Sequence, residues 1–137
     1  MKSRNQDLEQ LRITILNAKV NDAMHADECF QNNTLRPIIK FQNDLIIEVF
    51  RSYIKKRKSV FYTLSLEKRI EYIKKSLQKD TKLQYLLKGL VVGLFTVNEY
   101  LEYTNNTSAL NKRIMSLIKE RLISHLQLFQ NPDQPVL

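Results

Sequence analysis

Few residues in this chain could carry chemistry. Its 137 residues include two histidines and one cysteine, and His25 stands four positions before Cys29, with Asp22 and Glu28 close by. On a helix that spacing puts imidazole and thiol on one face, which could begin a metal site. Zinc sites use three or four protein ligands, so carboxylates would have to complete this one. The plainer reading is a polar segment with a partly buried thiol. His125 falls one turn beyond Arg121 near the end of the last helix expected, where a cation meets the helix dipole and the final carbonyls; it reads as a capping residue. The carboxylate pairs Glu67/Glu71 and Glu99/Glu102 do not look like a tuned acid–base couple, because the first lies among lysines and Glu99 belongs to a helix start. There is no Gly-x-Ser-x-Gly nucleophile setting and no Gly-Lys-Ser phosphate loop. The sequence therefore implies no catalytic residue, no metal and no cofactor.

Charge is the stronger signal. Lysine and arginine number 22 against 14 acidic residues, a formal +8. The excess is local: residues 1–34 carry four basic and five acidic side chains, residues 35–95 fourteen and five, and residues 96–137 four of each. The block contains Arg51, Lys55, Lys56, Arg57, Lys58, Lys68, Arg69, Lys74, Lys75, Lys79, Lys82 and Lys88. Ten of these, Lys74 and Lys88 aside, form a candidate basic surface. Tyr53, Phe61, Tyr62 and Tyr72 lie close enough in sequence to stack on bases, which would suit a nucleic acid. The alternative is a solvated face that keeps the chain soluble, since Lys68, Arg69, Lys75 and Lys79 lie opposite or beside an apolar stripe. No helix-turn-helix glycine turn, zinc knuckle or basic zipper is present.

The chain's two glycines, Gly89 and Gly93, sit four apart in its most apolar stretch. Each costs a helix interior about 1 kcal/mol relative to alanine, so the pair predicts close packing of another helix, from the same chain or from a second copy.

These side chains must be positioned by helices. Two glycines and three prolines are too few for an all-β fold or for Gly-rich phosphate loops, which leaves an all-α bundle of four to six helices. Asn33-Thr34 offers a cap and Pro37 falls in a first turn, predicting a helix over about 35–57. Its apolar residues Leu35, Ile38, Ile39, Leu45, Ile46, Val49, Phe50 and Tyr53 form a stripe, with Phe41 and Ile47 outside it. A helix apolar on more than one face belongs near the bundle centre or at a subunit interface. Ser65 caps a helix over about 66–79, and Asp80 one over about 81–95. Thr96-Val97-Asn98-Glu99 fits a capping box before a helix over about 97–104, and a last helix runs over about 109–129. Asn-Asn-Thr recurs at 32–34 and 105–107 as repeated cap chemistry. Residues 1–33 read as short helices or irregular chain, residues 34–130 as the helical domain and residues 131–137 as a flexible tail.

Leu35-Arg36-Pro37-Ile38-Ile39-Lys40, Phe41-Gln42-Asn43-Asp44-Leu45, Lys88-Gly89 to Gly93-Leu94-Phe95-Thr96 and Leu110-Asn111-Lys112-Arg113 together resemble a family of small helical bacterial proteins, some of which go by the name glyoxalase. The resemblance runs through most of the chain from about residue 30 and implies the helical fold boundaries. Glyoxalase I-type enzymes use βαβββ units whose His and Glu side chains bind a divalent metal. No such motif is matched, so no functional residue carries over.

The N-terminus has no apolar stretch of the kind a secretory signal needs, the longest apolar run is too short to span a bilayer, and the single cysteine has no intrachain partner. The chain reads as cytoplasmic, without membrane insertion. The expected function is non-enzymatic interaction with itself, as a homo-oligomer built on the extra apolar surface of helix 35–57, or with another protein. Nucleic-acid binding through residues 51–88 is the alternative, and a metal-dependent enzyme of glyoxalase type is a second one.

Overall fold

The computed structural model of the chain describes residues 3–15 and 26–130. They form α1 (Arg4–Ile15), α2 (Ala26–Phe30), a π-helical turn (Gln31–Leu35), α3 (Arg36–Phe41), α4 (Asn43–Lys56), a 3-10 turn (Val60–Thr63), α5 (Leu66–Lys79), α6 (Thr81–Val92), α7 (Val97–Thr104), α8 (Thr107–Ser124) and a second 3-10 turn (Leu126–Leu128). There is no strand among the described residues. The fold is all-α, with somewhat more helical pieces than the four to six expected.

The caps read from the sequence explain where several helices start. Ser65 Oγ accepts from the Lys68 N–H at 3.4 Å, and Asp80 Oδ1 from the Leu83 N–H at 3.1 Å. Thr96 and Glu99 close the reciprocal box at 3.2 and 2.8 Å. Each bond satisfies a backbone donor that the first helical turn leaves without a partner.

The helix expected over 35–57 is divided. The chain enters it already helical from α2, so Asn33 and Thr34 cap nothing; they lie inside the π turn, where the Arg36 N–H reaches Gln31 O. Pro37 follows directly. It has no N–H to give and its ring crowds the preceding turn, and a widened turn relieves that crowding. Thr34 is buried, and its hydroxyl donates to Glu99 Oε2 at 2.7 Å, tying this turn to α7. The repeated Asn-Asn-Thr is therefore not repeated cap chemistry. The second copy does stand at a helix start, yet Asn106 makes no side-chain cap bond. A further break at Gln42, with φ −87° and ψ 5°, shifts the helical phase. Ile47 consequently turns into the core, while Leu45 is left 47% exposed.

Helix α8 is the hub, packing against α3, α4, α5, α6 and α7. It buries Leu110, Ile114, Leu117, Ile118 and Leu122. The helix ends at Ser124, short of the expected Phe129. His125 Nδ1 lies 2.8 Å from Arg121 O, so the ring does cap the helix end, and that nitrogen carries the proton. The following 3-10 turn carries Phe129 back into the interior, where it is fully buried. There Phe50, Phe61, Tyr72 and Phe129 meet edge to face at centroid distances of 5.2–6.3 Å. Each fully buried phenylalanine contributes about 1.5–3 kcal/mol of transfer free energy.

Helix α4 ends in a Schellman motif. Ser59 N–H reaches Ile54 O at 3.1 Å and Lys58 N–H reaches Lys55 O at 3.2 Å. Lys58, with φ 62°, occupies the left-handed position where glycine is usual, and Ser59 follows at φ 57°.

Candidate functional site: the basic surfaces

The three arginines of the basic block are engaged within the fold. Arg69 donates to Leu64 O at 3.1 Å, Tyr62 O at 3.0 Å and Phe129 O at 3.4 Å. Its guanidinium also lies 5.2 Å from the Phe61 ring centroid. Arg51 donates to Leu128 O at 2.6 Å and pairs with Glu48. Arg57 reaches Asp80 Oδ2 at 2.5 Å and stacks on Tyr53 at 4.4 Å. The planar guanidinium suits such work because its donors are fixed in a fork and its face can lie on a ring.

Asp80 is the centre of the Arg57 node. One carboxylate oxygen accepts the Leu83 N–H, and the other accepts from the Tyr53 hydroxyl at 3.2 Å and from Arg57. The Leu83 N–H, helped by Tyr53 and Arg57, holds the Asp80 pKa below its ordinary value.

The lysines differ. Lys55, Lys56, Lys58, Lys68, Lys75, Lys79 and Lys82 are all exposed. Two hollows flank the Asp80 node. One, of about 590 Å³, takes in Lys56 and Lys82 beside Val49, Leu83 and Leu86; the other, of about 390 Å³, takes in Lys75 and Lys79 beside Tyr72. Lys55, Lys58 and Lys68 line neither.

The aromatic residues expected to stack on bases are occupied. Phe61 is fully buried, and Tyr53, Tyr62 and Tyr72 are half-buried against the Phe50–Phe61–Phe129 cluster. Their spacing, which looked like an interleaved binding surface, reflects core packing. Burial raises the pKa values of Tyr62 and Tyr72.

The structure brings together one basic group that the charge count missed. Lys74 of α5, Lys88 of α6 and Lys112 and Lys119 of α8 line a groove of about 690 Å³. Lys112 and Lys119 come from the segment whose charges sum to zero. Their seven-residue spacing on one helix face, around Met115, is the signal that could have found them.

Among the described residues, Gly89 and Gly93 do not mark close packing of another helix. A Cβ at Gly89 would meet nothing within 4 Å, and both residues are exposed. Gly93 caps α6, which ends at Val92 and not at residue 95. A Cβ at Gly93 would come within 2.8 Å of Gly89 O, so the close approach is to its own helix. Arg4 of α1 donates to Gly93 O at 2.6 Å and to Phe95 O at 2.8 Å, binding the N-terminal helix to this corner.

Of the candidate metal set, Asp22 and His25 lie outside the described residues. Cys29 is half-buried and Glu28 exposed. Among the described residues, no three or more His, Cys, Asp or Glu side chains are grouped so that they could hold a metal ion, and no helix is long and apolar enough to cross a membrane. No family model, curated protein or solved structure matches the chain.

Proposed function

We propose that the protein is a non-enzymatic interaction module that associates with a second copy of itself through the face where α4 and α6 run side by side. The observation that carries this reading is an apolar strip left open along that face. Helices α4 and α6 are antiparallel: Gln42 Nε2 donates to Leu90 O at 2.9 Å at one end, and Arg57 meets Asp80 at the other. Val49, Leu83 and Leu86 line the hollow between them. One turn along, Leu45 on α4 is 47% exposed, Leu86 on α6 is 51% exposed, and Gly89 presents bare backbone.

Projecting leucines beside a bare stretch of helix make a surface that can complement itself. A two-fold axis would lay the leucines of one copy over the glycine depression of the other, as an isologous interface requires. Charge favours this end of the groove, because Lys56, Arg57 and Lys82 cluster at the opposite end. Two chains of formal charge +8 repel less at this end than at the one that carries those three cations.

Sedimentation at micromolar concentration tests the reading. The expected result is a dimer that Leu45→Glu and Leu86→Glu each convert to a folded monomer. A natural chain that sediments as a monomer throughout that range overturns it.

The exposed lysines around the two Asp80 hollows favour nucleic-acid binding as the second reading. It predicts affinity for duplex DNA or RNA that falls steeply with salt. No binding at low salt removes it.

A further inference from the structure

We propose that the groove between α5, α6 and α8 is a binding site for a small molecule carrying two or more phosphate groups. It shares no lining residue with the α4–α6 hollow and stands apart from the self-association reading.

Lys74, Lys88, Lys112 and Lys119 converge on it from three helices, and no carboxylate lines it. The acidic residues of these helices are Glu67 and Glu71 on α5 and Glu120 on α8. Glu120 lines a different hollow, with Arg36 and Arg121. Four cations around one groove, with no carboxylate among its lining residues, attract an anion of matching charge.

The groove is otherwise fit for an anion. The last carbonyls of α5 would repel one, but the Gln84 amide covers two of them, donating to Leu77 O at 2.7 Å and to Gln78 O at 2.9 Å. The Tyr103 hydroxyl donates to Asn111 Oδ1, so the Asn111 NH₂ is the end that can serve the groove. Lys88 Nζ lies 4.7 Å over the exposed Tyr85 ring, which steadies a side chain that also lines the groove.

Size and charge spacing select the class of ligand. A groove of about 690 Å³ is of small-molecule dimensions. Lys112 and Lys119 are two turns apart, about 10 Å along α8, so a chain of phosphates can set a separate anionic group beside each of them. Lysine acts on phosphate as a mobile point charge, which suits a flexible polyphosphate better than a planar carboxylate.

The test is calorimetric titration of the full chain with tripolyphosphate and, in parallel, with ATP, at about 50 and about 200 mM salt. Saturable one-to-one binding that weakens with salt is expected. Lys88→Gln combined with Lys112→Gln should lower the affinity about tenfold or more, whereas Lys55→Gln with Lys58→Gln should change it by less than about twofold. ATP binding tighter than tripolyphosphate identifies a nucleotide as the ligand, and equal binding identifies the phosphate chain alone. No saturable binding of either at low salt overturns the proposal. Equal losses in the two double variants also overturn it, as does a single-stranded RNA that binds tighter than both and loses the same affinity in each double variant. The dimer-breaking Leu86→Glu variant should bind tripolyphosphate unchanged, which separates failure of this site from failure of the self-association face.

Discussion

Two regions of this molecule draw on the same basic excess and use it in opposite ways. Around the Phe50–Phe61–Phe129 cluster and the Asp80 node, Arg51, Arg57 and Arg69 spend their donors on carbonyls and carboxylates and lay their planes on rings. In the α5–α6–α8 groove, four lysines line one surface with no carboxylate among the lining residues. The first region converts positive charge into structure, and the second, where Lys88 alone lies over a ring, leaves most of it available. Net charge counts both alike, so a basic sequence block locates a binding surface only after the cations used for folding have been taken out.

The sharpest way to break the comparison is to exchange stability effects between the regions. Arg69→Met leaves the carbonyls of Tyr62, Leu64 and Phe129 without their donor, and should lower the unfolding free energy by about 2 kcal/mol. Lys112→Gln, on an exposed side chain, should stay within about 0.5 kcal/mol. Urea unfolding of the two variants measures both, and similar losses would dissolve the distinction.

A smaller effect tests the Asp80 node. Asp80→Ala removes the cap of α6 and the Arg57 partner, at about 1 kcal/mol at neutral pH. Because folding lowers the Asp80 pKa from its ordinary 3.8, its charged form is favoured in the native state. That contribution is complete above the ordinary value and fades as pH falls through the lower native one. The gap between natural and Asp80→Ala chains should therefore narrow in acid; a gap that widens there would contradict the node.

The smallest effect has the opposite sign. Lys58 holds a left-handed backbone that glycine adopts without cost. Lys58→Gly should raise stability by up to about 1 kcal/mol, read by thermal melting. Destabilisation would mean that the Lys58 side chain belongs with the structural arginines.

Legibility followed the range of the interaction. Ser65, Asp80 and the Thr96/Glu99 box were readable because a cap involves residues two or three apart, and α5 and α7 occur at their expected bounds. Asn33-Thr34 misled because the same oxygen that could cap a helix instead bonds to Glu99, a partner 65 residues away. Helix α1 has no strong stripe to read: Leu8 is buried, but Arg4 and Asn5 anchor the helix through bonds to Gly93, Phe95 and Val97. Tyr53, Phe61, Tyr62 and Tyr72 could be seen as clustered aromatics, though not as ones already packed on one another and on Phe50 and Phe129.

By itself the sequence determined the all-α class, most of the helix starts and the concentration of positive charge between residues 51 and 88. These depend on composition, on period and on bonds within one turn. Only the tertiary structure decided which cations are consumed, that Gly89 faces open space while Gly93 lies against its own helix, and that Lys112 and Lys119 join Lys74 and Lys88 in one groove. The physical reason is that charge sums along the chain, whereas a binding site sums charge across space, and three packed helices bring together what the sequence keeps as many as 45 residues apart.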